Sequence, residues 1–204
     1  MLTKNQIEIL NLFRKNIFLK ASILELKNIL NKTSYSRIFN AVKELEKNKI
    51  LKIEKIGHAN LVFTDLNARF IIQASYLDED EAMNSNIPNY DKIINIKELS
   101  NHLIIAKKSQ EKAILKRGSE QELIIAIPDS YNPMSIQEIA EKSLFLVYPK
   151  INISVLKEKE IIEMLIEPQD NLGKEIFKSH VILKNACKYY ELLKEAIKQG
   201  FKEK

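Results

Sequence analysis

Residues 34–64 read SYSRIFNAVKELEKNKILKIEKIGHANLVFT, and the way this stretch changes period decides how the chain is built. In its first half Ile38, Ala41, Val42 and Leu45 recur at the spacing of one buried helix face, after a start at Thr33 or Ser34. That face leaves Tyr35, Ser36, Arg37, Asn40 and Lys43 pointing outward. In the second half, Ile50 to Ile56 and Asn60 to Thr64 are β-prone runs on either side of Gly57-His58, the pattern of a hairpin with a short turn. A helix with a polar, basic leading edge thus runs directly into an apolar hairpin.

Two shorter helices are expected upstream. Thr3 suits the cap of the first, with Ile7, Leu10 and Phe13 at helical spacing and Ile9 and Leu12 beside them. Ser22 and Glu25 have capping-box spacing ahead of the second, which carries Ile23, Leu26 and Leu30 on one face. A helix from Asp65 to Tyr76 follows the hairpin. The sequence therefore predicts an α+β chain in which residues 1–77 form one domain with a trailing helix. An acidic, polar linker is expected over 78–90, where Asp78-Glu79-Asp80-Glu81 and Pro88 lie, and a second domain over 91–204.

The second domain alternates strands and helices. Leu103 to Ala106, Glu122 to Pro128, Ser143 to Tyr148 and Ile151 to Leu156 read as strands, with a short one over Val181 to Leu183. Ser135 to Lys142, Glu158 to Ile166, Asp170 to Lys178 and Ala186 to Gln199 read as helices. Tyr189, Tyr190, Leu193 and Ile197 on the last helix suit core or dimer contacts.

Charge is distributed unevenly between the halves. The net charge is +5, yet residues 1–75 carry 13 Lys and Arg against 6 Asp and Glu, and the remainder is slightly acidic. The positive excess lies where a polyanion would dock. A single cysteine, Cys187, excludes an internal disulfide and points to a reducing, cytoplasmic setting. No apolar run approaches the roughly 18 residues that cross a bilayer, and Met1 to Asn5 lack the layout of a signal peptide, so no membrane partner is expected. His58, His102 and His180 are scattered, which leaves no metal site of familiar spacing. With four glycines there is no Gly-rich nucleotide loop.

The order helix, helix, polar-edged helix, hairpin, together with Lys49-Ile50-Leu51-Lys52-Ile53-Glu54-Lys55, resembles the winged helix-turn-helix domains of archaeal and bacterial transcription regulators over residues 1–75. That resemblance implies that the third helix enters the major groove of double-stranded DNA and the wing lies along phosphates. Carried onto this chain, Ser34, Tyr35, Ser36, Arg37, Asn40 and Lys43 belong to the groove helix. Lys52, Lys55, His58 and Asn60 belong to the wing. Arg and Asn suit guanine and adenine edges, whereas Ser34, Ser36 and the first-turn amides suit phosphate oxygens. Each has a plainer role too: Ser34 as a cap, Tyr35 packed on the second helix, His58 solvated at a turn. A homodimer on two half-sites is expected. A winged helix that docks protein instead of DNA is a further reading.

Residues 90–204 resemble the small nucleotidyltransferases of archaea and bacteria. Members carry an apolar strand, Gly-Ser, nine residues, then Ser-Asp-x-Asp and a second apolar strand. Here Leu103 to Ala106 leads to Lys108-Ser109, nine residues, then Ser119-Glu120-Gln121-Glu122 and Leu123 to Ile127. Lys150 to Val155 resembles the strand supplying the third carboxylate, and Leu172 to Leu183 the closing segment. The resemblance implies Mg²⁺ held by carboxylates at alternate positions of one strand, with a third carboxylate from a neighbouring strand completing a two-metal site and helping to activate the attacking hydroxyl. The residues depart from that requirement. The pair is Glu120 and Glu122, whose extra methylene displaces the oxygens by about 1 Å, a shift worth on the order of 100-fold. The third position is Asn152, which is neutral. Lys108 replaces the Gly that admits the triphosphate, and Ala113 stands where a second Gly is usual.

The expectation is a DNA-binding regulator with no catalytic residue, no cofactor and no metal, whose second domain serves assembly or binds a protein partner or ligand. The alternative is a Mg²⁺-dependent nucleotidyltransferase that modifies a protein or RNA partner of the toxin–antitoxin kind.

Overall fold

The computed structural model describes residues 2–57, 59–107, 121–147 and 150–202. The chain is a mixed α+β protein with two small sheets, and it divides into two units, Met1–Leu77 and Asp78–Lys202.

The first unit opens with α1 (Lys4–Lys15), β1 (Ala21–Ser22), α2 (Ile23–Ile29) and α3 (Tyr35–Lys47). The expected capping box at Ser22 forms, and the expected cap at Thr3 proves to be a full box as well. Thr3 and Gln6 exchange side-chain and backbone bonds at the start of α1, as Ser22 and Glu25 do for α2. The backbone hydrogen bond from Ser22, with that of its hydroxyl, holds the Glu25 carboxyl below the usual glutamate range. In α3, Ile38, Ala41, Val42 and Leu45 are buried, and the helix packs on α1 and α2.

The hairpin is β2 (Lys52–Ile56) and β3 (Ala59–Phe63), in antiparallel register from Lys52 opposite Phe63 to Ile56 opposite Ala59. Its first strand starts two residues later than the sequence suggests. Lys49 takes a left-handed conformation (φ 57°), and the Ile50 and Leu51 amides bond back to the Leu45 carbonyl, closing α3 instead of opening the strand. Gly57 supplies the positive φ (60°) of the turn. The structure adds a third strand that no periodicity announces: β1 pairs with β3, giving the order β1-β3-β2.

α4 (Ala68–Asn84) begins later and ends later than expected. Asn67 sets the start, its Oδ1 accepting from the Arg69 and Phe70 amides at 2.9 and 3.1 Å. The acidic run 78–81 does not break the helix. Asp78 is buried and accepts a 2.5 Å hydrogen bond from the Tyr190 hydroxyl, and Glu79 accepts from the Ala186 amide at 2.9 Å. These carboxylates are tied to the last helix of their unit, so a stretch that reads as solvated linker is helical scaffold.

The second unit continues with α5 (Tyr90–Ile94), a short 3-10 turn over Lys97–Leu99, β4 (Leu103–Lys107), β5 (Gln121–Ile127), α6 (Pro133–Leu144), β6 (Ile151–Lys157), α7 (Glu158–Ile166), α8 (Leu172–Lys178), β7 (His180–Lys184) and α9 (Ala186–Lys198). Its sheet order is β6-β5-β4-β7. β4 is antiparallel to β5 and β7, and β5 is parallel to β6. A parallel pair needs a crossover, which α6 provides. Ile104, Ala106, Leu123, Ile125 and Ile127 join Ile136 and Ala140 of α6 in one core layer. On the other side α7 and α9 pack together and reach β5 and β4. Covering on both faces explains why these strands are continuous apolar runs rather than alternating ones.

One expected strand is absent among the described residues. Ser143 to Tyr148 is no strand over its described part: Ser143 and Leu144 finish α6, because Leu144 extends the Ile136, Ala140 spacing. Residues 148 and 149 lie outside the described residues. Tyr189, Tyr190 and Leu193 are buried within the chain, which is the core alternative of the two the sequence leaves open for them. α8 also needs its glycine, since a Cβ on Gly173 would sit 2.6 Å from that of Met164.

Tyr190→Phe keeps the ring and removes the hydroxyl that satisfies buried Asp78. Thermal and chemical unfolding are expected to show a loss of about 1–3 kcal/mol. Wild-type stability in this variant would mean that the bond carries no weight.

Candidate nucleic-acid interface

The exposed side of α3 follows from its buried side. Once Ile38, Ala41, Val42 and Leu45 are inside, Tyr35, Ser36, Arg37, Asn40 and Lys43 are exposed, as the sequence predicts. Their environments differ. Ser34 is the cap: its Oγ accepts from the Arg37 amide at 3.4 Å and lies 3.1 Å from the Ser36 Oγ. Tyr35 stacks on Phe39, ring centroids 6.2 Å apart, rather than on α2. Lys43 is held by Glu46 at 2.8 Å. Among the described residues Arg37 and Asn40 have no side-chain partner. They stand one helical turn apart on α3, so both present polar groups on one face.

On the hairpin, Lys55 and Asn60 are directly opposite each other and exposed. Lys52 is turned to the base of the hairpin, where Asp65 holds it at 2.7 Å. His58 lies outside the described residues. Sequence reasoning missed Lys20, which sits 5.1 Å from the centre of the Phe63 ring at the side of the hairpin. Its signal, a lysine before a two-residue strand, is invisible without the β1–β3 pairing.

In the second unit the register sets Glu122 beside Asn152 on adjacent parallel strands. Lys108, Ser109, Ala113 and Glu120 lie outside the described residues. The structure adds a group that spacing did not reveal. The Lys107 Nζ is 2.9 Å from Glu175 Oε2 and 3.0 Å from Glu122 Oε2, joining the ends of β4 and β5 to α8. Hydrogen bonds that Lys107 donates to Glu175 and then to Glu122 raise its pKa above the ordinary lysine range, opposed by burial. An ammonium thus neutralises the carboxylate that a cation would otherwise use. Among the described residues no three His, Cys, Asp or Glu side chains are grouped to hold a metal.

The remaining polar chemistry is separate from both places. His102 is buried, and among the described residues its Nδ1 has no hydrogen-bond partner. Burial lowers its pKa, partly opposed by the charge of Glu158, and Tyr131 packs edge-on against it. His180 Nδ1 lies 2.6 Å from the Ile176 carbonyl. Cys187 is exposed. Among the described residues no helix is long and apolar enough to cross a membrane. No protein family, no curated protein and no solved structure matches this chain.

Because Glu122 is one of two carboxylates holding the Lys107 proton, Glu122→Gln should move the Lys107 titration down toward the ordinary lysine range. A pH series of lysine ¹³Cε shifts reads this directly, and an unmoved titration contradicts the ion pair. The sign also fixes the stability effect: the contribution is present below the unfolded lysine pKa and lost as pH rises through the raised folded value.

Proposed function

We propose that residues 1–77 are a winged helix-turn-helix that binds double-stranded DNA, with α3 in the major groove and the β2–β3 hairpin along the backbone. One observation carries this reading: Arg37 and Asn40 stand exposed and, among the described residues, unpartnered on the outer face of α3, in the part of the chain that holds the positive excess. Those are the side chains best suited to read guanine and adenine. Lys55 and Asn60 at the outer part of the hairpin supply backbone contacts. Binding as a homodimer on two half-sites raises affinity and specificity.

The second unit, in this proposal, is a nucleotidyltransferase-like fold that has given up catalysis and serves assembly or partner binding. Three features support it. β6, the strand that resembles the one supplying the third carboxylate, lies directly beside β5, which carries Glu122. The residue adjoining Glu122 is the neutral Asn152. The Glu122 carboxylate is already bound to Lys107. Mg²⁺-dependent incorporation of labelled nucleotide is expected to be absent. Incorporation by the wild type that disappears in Glu122→Ala would overturn this part and favour the enzyme.

DNA binding is tested by affinity at several salt concentrations. Arg37→Ala is expected to cost about 1–3 kcal/mol and to relax specificity at one position. Lys55→Ala should weaken all sequences alike and reduce the salt slope by about 1. Unchanged affinity and slope in the double variant would contradict the groove-and-wing assignment. Failure of the wild type to bind any DNA at low salt would favour a protein-docking role.

A further inference from the structure

A cavity of about 500 Å³ lies at the base of the hairpin within the first unit, between the end of α3, the β2–β3 strands and the start of α4. This is within the size range of small-molecule sites, roughly 300–1,000 Å³. Leu51, Ile53, Phe63 and Ala68 give it an apolar lining. Its charged rim is unbalanced once the ion pairs are assigned. Asp65 is engaged by Lys52 and Glu46 by Lys43, so both carboxylates are neutralised. Lys49 and Arg69 also line the cavity, and among the described residues neither has an ion-pair partner. Arg69 makes only a long 3.5 Å bond to the Asn48 carbonyl, leaving most of its donors available.

An open, mostly apolar groove lined also by two uncompensated cations has a definite complement. We infer that this cavity binds a small organic acid: an apolar body seated against Leu51, Ile53 and Phe63, with its anionic group between Lys49 and Arg69. The Arg69 guanidinium offers paired donors to a carboxylate or other oxyanion, and Lys49 adds a point charge. The residues that define the cavity are not the ones assigned to DNA, except that Lys52 and its partner Asp65 stand at its edge. The inference therefore holds or fails independently of DNA binding.

The probe is 1-anilinonaphthalene-8-sulfonate, an aromatic organic anion, titrated by fluorescence against the full chain beside its uncharged analogue N-phenyl-1-naphthylamine. Saturable binding of the anion is expected. Lys49→Gln with Arg69→Gln should weaken the anion about tenfold or more, as expected for loss of a charge-assisted hydrogen bond, while leaving the neutral analogue unchanged. Ala68→Trp, which fills the cavity from an exposed helix start, should abolish binding of both. Melting curves superimposing on wild type establish that the variants are folded. The inference is overturned by non-saturable binding, by equal weakening of both probes in the double glutamine variant, or by undiminished binding in Ala68→Trp.

Discussion

Burial of Ile38, Ala41, Val42 and Leu45 on one side of α3 is the constraint on which the first unit depends. These four side chains fix the rotation of the helix about its axis, because turning it would bring Arg37 or Asn40 inside without partners, at a cost of several kcal/mol for the charge. The outward-facing set of side chains on α3 follows from that rotation. It decides which residues face solvent, and the left-handed Lys49 that closes the helix decides where the hairpin starts. The small β1 strand completes the support by pairing with β3, so the hairpin projects from a three-stranded sheet rather than standing alone.

The second unit places a different constraint at the position of its carboxylate. Holding a divalent ion for nucleotidyl transfer would need free carboxylates, and here Glu122 and Glu175 are both paired with Lys107. The pairs are half-exposed and contribute little stability, about 1 kcal/mol or less each. Their consequence is chemical: a lysine held protonated above its usual range occupies the charge that a divalent ion would take. Together with the neutral Asn152 beside Glu122, it supports a scaffold role for this unit.

Local patterns are legible in the sequence, and long-range ties are not. The capping boxes at Thr3 and Ser22, the buried face of α3 and the hairpin are written in spacings of three, four and two residues, which a single sequence displays. The end of α4 was misread because Asp78 and Glu79 look like solvated linker charges until Tyr190 and Ala186, more than a hundred residues away, are brought to them. Ser143 to Tyr148 failed for the opposite reason: a β-prone run was overridden by the helical spacing from Ile136 through Leu144. At the candidate sites, exposure of Arg37 and Asn40 is legible from helical period, whereas Lys55 and Asn60 follow only from the resemblance of the hairpin to a wing. The partners of Lys52 and Lys107 are legible from neither, since Asp65 approaches across the base of the hairpin and Glu175 comes from α8.

The account stands on α3 and the hairpin acting together as the DNA-contacting surface. Amide and side-chain NMR shifts recorded during titration with double-stranded DNA test this residue by residue at low salt. Perturbations are predicted to concentrate at Ser36, Arg37 and Asn40 and at Lys55 and Asn60, and to fade as salt is raised. Shifts confined to residues 78–202, or none at any salt concentration, would contradict it.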